Sequence, residues 1–232
     1  MRLAIVGDGR MGQAVAALAA ERGHVVQAII GRSDNPNGVA LTRERLAGVD
    51  AAIEFTRPGA VVDNLRRLIE AGIPTVTGTT GWSEELPRIA RLVEDRRGAL
   101  LHAANFSVAV QLFLRAARDL ASRFAARPDF DAFILEEHHS AKVDAPSGTA
   151  AELRARLRSA DGSRDFPITS VHEGSIPGTH TLTYDGPHDT ITLRHVARSR
   201  RGFAAGALAA AEWLPGRTGV YDFEAMLFGG TG

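Results

Sequence analysis

The stretch Leu3-Ala4-Ile5-Val6-Gly7-Asp8-Gly9-Arg10-Met11-Gly12 decides how the chain is read. Leu3 to Val6 is a short unbroken apolar run, the pattern of a strand buried on both faces. Gly7-x-Gly9-x-x-Gly12 follows it and opens an alanine-rich helix, Gln13 to Arg22, which Gly23 ends. Strand, glycine turn and helix in that order form the context of a dinucleotide fingerprint. The first glycine permits the tight turn, the second lets backbone amides approach a pyrophosphate, and the third allows close helix–strand packing. A purely structural glycine turn is the competing reading.

Working outward, the alternation continues. Val25–Ile30 reads as a strand, and Gly31 to Gly38 as a turn-rich segment. Ala51–Phe55 is a strand and Ala60–Ala71 a helix with Val61, Leu65, Leu68 and Ile69 on one face. Strand Thr75–Thr77, helix Ser83–Arg97 and strand Leu100–Ala103 complete the series. Repeated strand–helix units predict a parallel sheet covered by helices, an α/β domain. After Ser107 the pattern changes to α+β: a long helix Val108–Ala126, a strand Phe133–Glu136 and a helix Ala150–Leu157. The segments Thr179–Tyr184 and Thr190–Ala197 are joined by a hairpin turn. Phe203–Leu214 is again an apolar helix and is expected to return to the first domain. The reading is residues 1–105 with 200–232 as a dinucleotide-binding domain, and residues 106–199 as a smaller second domain. Gly229 to Gly232 reads as a frayed end.

Composition narrows the function classes. In 232 residues, 27 basic and 27 acidic side chains cancel to a net charge of +0. A nucleic-acid or anionic-membrane partner, each of which calls for a basic face, is not expected. There is no cysteine, which excludes disulfides, thiolate metal sites and a cysteine nucleophile. No apolar run approaches the roughly 20 residues of a membrane span. Strand residues begin at the N-terminus without room for a signal peptide, so a cytoplasmic location is expected. Of the 27 basic residues, Lys142 alone is a lysine. Drift toward arginine accounts for the others but not for the position of this one.

The cofactor contacts follow from the fold. Gly7, Asp8, Gly9, Arg10, Met11 and Gly12 form the fingerprint turn. The tip of the second strand lacks the carboxylate that usually binds the adenosine ribose 2′-hydroxyl and carries Arg32 and Ser33 instead. An arginine and a hydroxyl suit a 2′-phosphate, so NADPH is favoured over NADH; the alternative is that Arg32 is a solvated loop residue. Gly78-Thr79-Thr80-Gly81 and Ala104-Asn105-Phe106-Ser107 follow strands at their carboxyl ends, where open α/β sheets bind ligands. They are assigned to the nicotinamide half, although each taken singly is an ordinary strand-to-helix turn.

The densest chemistry lies in Glu136 to Thr149, which holds two adjacent histidines, the single lysine, an aspartate and a Pro-Ser-Gly-Thr helix start. An imidazole can pass a proton near neutrality, and an ammonium can donate one or neutralise a carboxylate. The amides of Gly148 and Thr149 at a helix start offer an anion cradle. The site suits an anionic substrate that takes up a proton. Thr149-x-x-Glu152 also reads as a capping box, and His138-His139 as surface residues after a strand. Adjacent histidines can bind a metal, but the linear spacing offers no further ligand set, and no metal site is assigned.

The stretch E-x-H-H-x-x-K-x-D-A-P-S-G-T-A, Glu136 to Ala150, resembles the hallmark of the dihydrodipicolinate reductase family, also called 4-hydroxy-tetrahydrodipicolinate reductases, of the bacterial and plant diaminopimelate–lysine pathway. Further markers of that family lie at 7–12 (G-x-G-R-M-G), 54–58 (E-F-T-x-P), 78–81 (G-T-T-G) and 104–107 (A-N-F-S). Others lie at 174–180 (G-x-I-x-G-x-H), 199–207 (S-R-x-x-F-A-x-G-A) and 219–222 (G-x-Y-D). The resemblance implies a Rossmann-like dinucleotide-binding domain and a smaller domain that binds substrate and builds a homotetramer, with a hinge between them. It implies hydride transfer from NADPH or NADH to the cyclic imine of a dicarboxylate, with loss of water. His138 matches the family's proton donor and Lys142 its second catalytic residue; His139, Ser147, Gly148 and Thr149 match its carboxylate-binding positions. Phe55, Ala103 and Ala104 join the cofactor contacts. Departures are a short loop after the second strand, Ala109 for a glycine, Gln111 for an asparagine and His172 for an arginine. Two further hypotheses stand beside this one: a related oxidoreductase for another amino-acid-derived substrate, and a non-catalytic nucleotide-sensing module.

Overall fold

The computed structural model describes residues 1–229; of the expected frayed end, residues 230–232 lie outside the described residues. Along the chain run β1 (Arg2–Val6), α1 (Arg10–Glu21), β2 (Val25–Ile30), β3 (Ala51–Glu54), α2 (Pro58–Glu70), β4 (Thr75–Thr77), α3 (Leu86–Asp95) and β5 (Ala99–His102). Then come α4 (Val108–Phe124), β6 (Asp131–His138), α5 (Gly148–Ala160), β7 (Ile168–His172), β8 (Thr179–Asp185) and β9 (Thr190–Val196). The chain continues with α6 (Arg201–Trp213), β10 (Gly219–Asp222) and α7 (Phe223–Phe228). Contacts group the chain into two compact units, Met1–Val108 with Arg200–Gly232, and Ala109–Ser199.

The first unit holds a six-stranded sheet in the order β10-β5-β4-β3-β1-β2, every pair of it parallel. Successive side chains of a strand point to opposite faces, and β1 shows the consequence. Leu3 and Ile5 pack with Val15, Leu18 and Ala19 of α1 and the alanines of α6. Ala4 and Val6 pack on the other face with Ile30, Leu46 and Leu68. Burial on both faces explains the unbroken apolar run. Small residues at Ala204, Gly206 and Ala207 bring α6 close: a Cβ on Gly206 would overlap the Phe106 carbonyl.

The second unit has a four-stranded sheet, β7-β6-β8-β9, with β6 and β7 parallel and the remaining pairs antiparallel. Its core side carries Ile134, Leu182 and Tyr184 against Val110, Leu114 and Ala117 of α4 and Leu153 and Leu157 of α5.

Three elements were not expected from the sequence: β7, β10 and α7. The predicted helix 83–97 opens instead as a 3-10 turn at Ser83–Glu85, and its α-helical part runs Leu86–Asp95 with Pro87 in the first turn, where a missing N–H costs nothing. The strand at 133–136 is longer, Asp131–His138. The capping box at Thr149 does not form: Ser147 is the cap of α5, its hydroxyl accepting from the Ala150 amide, and Glu152 pairs with Arg156. Gly229 ends α7 in the left-handed region (φ 72).

Candidate active site

In the first unit the glycine turn is built as its spacing predicts. Gly7 sits at φ +110, and a Cβ there would overlap the Phe55 carbonyl; one on Gly12 would overlap the Gly7 carbonyl. Neither position accepts a side chain. Gly9 differs, because a Cβ there meets nothing within 4 Å, so the backbone at the start of α1 faces open space. The first turn of α1 carries no acidic residue that would oppose an anion. A cavity of about 460 Å³ opens here, lined among others by Gly7, Asp8, Gly9, Gly31, Arg32 and Phe55. The exposed backbone at a helix start, a cavity beside it and glycines forced by backbone approach fit a dinucleotide.

The remaining expected cofactor residues divide by what they already hold. Arg10, Ser33, Thr80 and Ala104 are exposed, while Met11 is half-buried against the core. Thr79 is buried and committed: its hydroxyl accepts the Thr56 amide at 2.8 Å and its carbonyl accepts from Trp82 Nε1 at 2.8 Å. Phe106 is buried between Phe55 and Phe223, at centroid distances of 6.0 and 4.9 Å, so only its backbone can meet a ligand. The Ala103 amide donates to the Thr77 carbonyl, and Asn105 Oδ1 accepts the Ser107 amide at 2.8 Å. Gly78 fits because a Cβ there would overlap the Phe55 ring.

Sequence reasoning missed a polar network under this crevice. Glu54, fully buried at the end of β3, accepts from the hydroxyls of Thr56 and Thr77 (2.6 Å to the latter) and from the Asn64 amide at 3.4 Å. Burial pushes its carboxyl above the ordinary value against the opposing pull of these bonds.

The second unit gathers the histidines. Strand register does this: Glu136 pairs across with Ser170 on one side and His180 on the other, and His138 lies opposite His172. Glu136 continues the inward-facing series of Ile134 and is fully buried. One of its oxygens, Oε1, accepts from the Ser147 amide at 2.8 Å and the Ser170 hydroxyl at 2.6 Å. The other, Oε2, lies 3.5 Å from His138 Nδ1 and 3.7 Å from His180 Nε2, in ion-pair range without a hydrogen bond. Burial raises the Glu136 carboxyl, but the bonds from Ser147 and Ser170 and the neighbouring His138 outweigh it, so the group sits below its ordinary value as a carboxylate. His138 is lowered, chiefly by burial, with Glu136 pulling the other way and Lys142, His172 and His139 adding to the fall. His180 is pushed down to about 4, first by burial, and is neutral near pH 7.

Lys142 is partly exposed and holds Asp144 at 2.7 Å. Its amide donates to the His139 carbonyl, and the loop is tied to the strand beyond by Ser140 N–H to Gly174 O and Glu173 N–H to His138 O. Ser147, Gly148 and Thr149 occupy the start of α5, with Gly148 exposed. The expected substrate and catalytic residues therefore share one loop and the strand it leaves. Glu136, which opens that stretch, lies beside them, and strand register sets Ser170, His172 and His180 next to it, none of which linear spacing singled out as a site residue. The readable signal was the marker ending in His180.

A family model described as "Dihydrodipicolinate reductase, N-terminus" matches residues 1–106, and one described as "Dihydrodipicolinate reductase, C-terminus" matches residues 109–227. The chain belongs to the dihydrodipicolinate reductase family. It is 32% identical over 238 residues to the 4-hydroxy-tetrahydrodipicolinate reductase of Christiangramia forsetii, with 98% of each chain covered. It is 35% identical over 247 residues to that of Natronomonas pharaonis, covering 97% of this chain and 99% of the relative. The solved dipicolinate-bound dihydrodipicolinate reductase from Paenisporosarcina sp. TG-14 shares its fold, with a TM-score of 0.81 at 24% identity, covering 97% of this chain and 99% of that one. The motif resemblance and the Rossmann-like α/β reading hold. As a dihydrodipicolinate reductase family member the chain is an oxidoreductase that depends on a pyridine nucleotide. No helix among the described residues is long and apolar enough to cross a membrane.

Proposed function

We propose that the chain reduces 4-hydroxy-tetrahydrodipicolinate to tetrahydrodipicolinate, with loss of water and oxidation of NADPH, in the diaminopimelate route to L-lysine. The observation that carries this reading is the buried Glu136 carboxylate set beside His138, on a strand that leads directly into Lys142 and the start of α5. A bound reduced nicotinamide supplies the hydride. The chain's own residues orient the substrate and move the proton. Hydride addition to a conjugated imine leaves an electron-rich carbon that takes up a proton. Per turnover one hydride and one proton enter, and one water leaves.

His138 delivers that proton. Its Nδ1 faces Glu136 Oε2, so the carboxylate steadies the charged imidazolium and leaves Nε2, beside Gly178, for the ligand. Lys142 is the second catalytic residue, its ammonium acting on the substrate's charge. His139, Ser147, Gly148 and Thr149 hold the carboxylates; a helix start favours anions, and a Cβ on Gly148 would meet nothing within 4 Å. In the cofactor unit Gly7, Asp8, Gly9, Arg10, Met11 and Gly12 cradle the pyrophosphate. Arg32 and Ser33 receive the 2′-phosphate that distinguishes NADPH. Backbone of Gly78 to Thr80 and Ala103 to Phe106, with Phe55, surrounds the nicotinamide.

Residues 1–105 with 200–232 act as the cofactor domain, and residues 106–199 bind substrate and build a homotetramer in the cytoplasm. Phe133 (43% exposed) and Val196 (50% exposed), apolar residues of β6 and β9, support that assembly. Light scattering reads the mass directly. The deciding experiment is a coupled assay in which the unstable substrate is generated enzymatically and oxidation of NADPH or NADH is followed by absorbance. Turnover with this substrate, faster with NADPH, is expected. Nucleotide binding without turnover, or a preference for an unrelated imine, would overturn the proposal.

A further inference from the structure

Glu136, His138 and His172 present a geometry that hydride transfer does not require. A carboxylate oxygen of Glu136 and one ring nitrogen each from His138 and His172 all lie within 4.8 Å of one another. Three buried atoms here, Glu136 Oε2, His138 Nδ1 and His172 Nε2, make no hydrogen bond within the protein. Buried polar atoms are paired in the great majority of cases. Donor groups from two adjacent strands are thus brought together as a three-residue ligand set.

The set has the chemistry of a transition-metal site. Two imidazoles and one carboxylate form the donor set that Zn²⁺ takes in open, three-ligand sites, with metal–ligand distances of about 2.0–2.2 Å. Tetrahedral geometry at those distances leaves ligand atoms about 3.4 Å apart. His138 Nδ1 and Glu136 Oε2, at 3.5 Å, already stand so. The second shell is in place: Glu136 Oε1 is held by the Ser147 amide and the Ser170 hydroxyl, which fix the carboxylate. The Glu136 carboxylate supplies the negative charge for a cation, and Lys142, which acts against positive charge at His138, is itself paired with Asp144.

We propose that Glu136, His138 and His172 bind one divalent transition-metal ion of the Zn²⁺ class, and that the ion holds the enzyme inactive. The metal occupies the nitrogen of His138 that faces Glu136. With Nδ1 metallated and a fixed dication beside it, the ring does not take on the charge a proton donor carries. Binding of the ion stands apart from the assigned reaction; its inhibitory effect rests on that reading.

The test uses the full chain, stripped with EDTA, and is read first without substrate, because a dicarboxylate imine itself chelates metals. Titration with Co²⁺ is followed by its visible d–d bands, and Zn²⁺ by calorimetry and by displacement of the cobalt. One ion per chain is expected. His172→Gln, which leaves His138 and Glu136 in place, should weaken binding by about 10–100-fold or more. In the coupled assay, Zn²⁺ should inhibit the native enzyme reversibly on addition of EDTA, while the turnover of His172→Gln, whatever its level, should be the same with and without Zn²⁺. Absence of stoichiometric binding, or equal affinity in His172→Gln, overturns the site. Binding lost in His172→Gln with native turnover untouched by Zn²⁺ overturns the inhibitory role. Inactivity of the metal-free enzyme toward the assigned substrate leaves the binding result intact and counts against the assigned reaction instead.

Discussion

Lys142 Nζ lies 2.7 Å from Asp144 Oδ1, and that ion pair holds the single lysine of the chain at the loop joining β6 to α5. Asp144 is itself exposed, and its carboxyl is held below its ordinary value first by the hydrogen bond from Lys142. In a chain that uses arginine everywhere else, a retained ammonium points to its chemistry: a guanidinium, with a pKa above about 12, is a poor proton donor and is larger and planar. Lys142→Arg should keep the charge and lose about 10²–10⁴ in kcat, and His138→Ala should lose a similar factor. NADPH affinity, measured by fluorescence titration, should be unchanged in both. Normal turnover in Lys142→Arg would reduce the lysine to a coincidence of composition.

Arg32 and Ser33 stand where β2 ends, with Arg32 lining the cavity at the glycine turn. A 2′-phosphate there gains a charge-assisted contact that a 2′-hydroxyl does not. Arg32→Ala should raise KM for NADPH about tenfold, equivalent to about 1.4 kcal/mol, and leave KM for NADH within about twofold. Equal losses for both cofactors would make Arg32 a general contact and remove the proposed preference.

What could be read directly in the chain was local. Gly7-x-Gly9-x-x-Gly12 between an apolar run and an alanine-rich helix specifies β1, its turn and α1, because each feature is set by neighbours in sequence. Likewise Glu136 to Thr149 brings His138, Lys142 and the start of α5 together without help from elsewhere. The rest depends on register. His172 and His180 reach Glu136 and His138 only because β7 and β8 flank β6 at one particular offset, which no spacing in the sequence encodes. β7 itself, Ile-Thr-Ser-Val-His, is short and half-exposed, so its alternation is faint. The capping box at Thr149 was a valid local pattern overruled by a competing one, since Ser147 two residues earlier already caps the helix. Glu54 shows the same limit: a carboxylate in an apolar strand gave no hint of the threonines and asparagine that converge on it.

Gly206 in α6 offers a test of packing remote from the chemistry. A Cβ at this position would overlap the Phe106 carbonyl and come within 2.9 Å of the Phe223 ring. Backbone cannot yield as a flexible side chain does, so Gly206→Ala should destabilise by about 3 kcal/mol despite the better helix propensity of alanine. For a chain of this size that lowers Tm by roughly 6–12 °C. The change should appear in thermal unfolding, and an unchanged or higher Tm would mean that α6 shifts without cost.

Glu54 makes stability depend on pH in a direction opposite to that of a paired carboxylate. Burial raises its folded-state pKa above the ordinary glutamate value of 4.5, against the lowering pull of Thr56, Thr77, Thr79 and Asn64. Between 4.5 and the raised value the native state holds a proton that the unfolded chain has released. The native state then binds more protons, so stability falls as pH rises through that window, by about 1.4 kcal/mol per pH unit where the difference is complete. Glu54→Gln removes the titration while preserving the shape of the side chain; its amide oxygen accepts from one threonine hydroxyl and its NH2 donates to the other, much as a protonated carboxyl would. Urea unfolding midpoints of the two proteins should coincide near pH 4.5 and diverge as pH rises, with the variant the more stable at pH 8. Parallel curves across that range would show that the carboxyl ionises inside the fold without penalty, and that its hydrogen bonds, rather than its burial, set its charge.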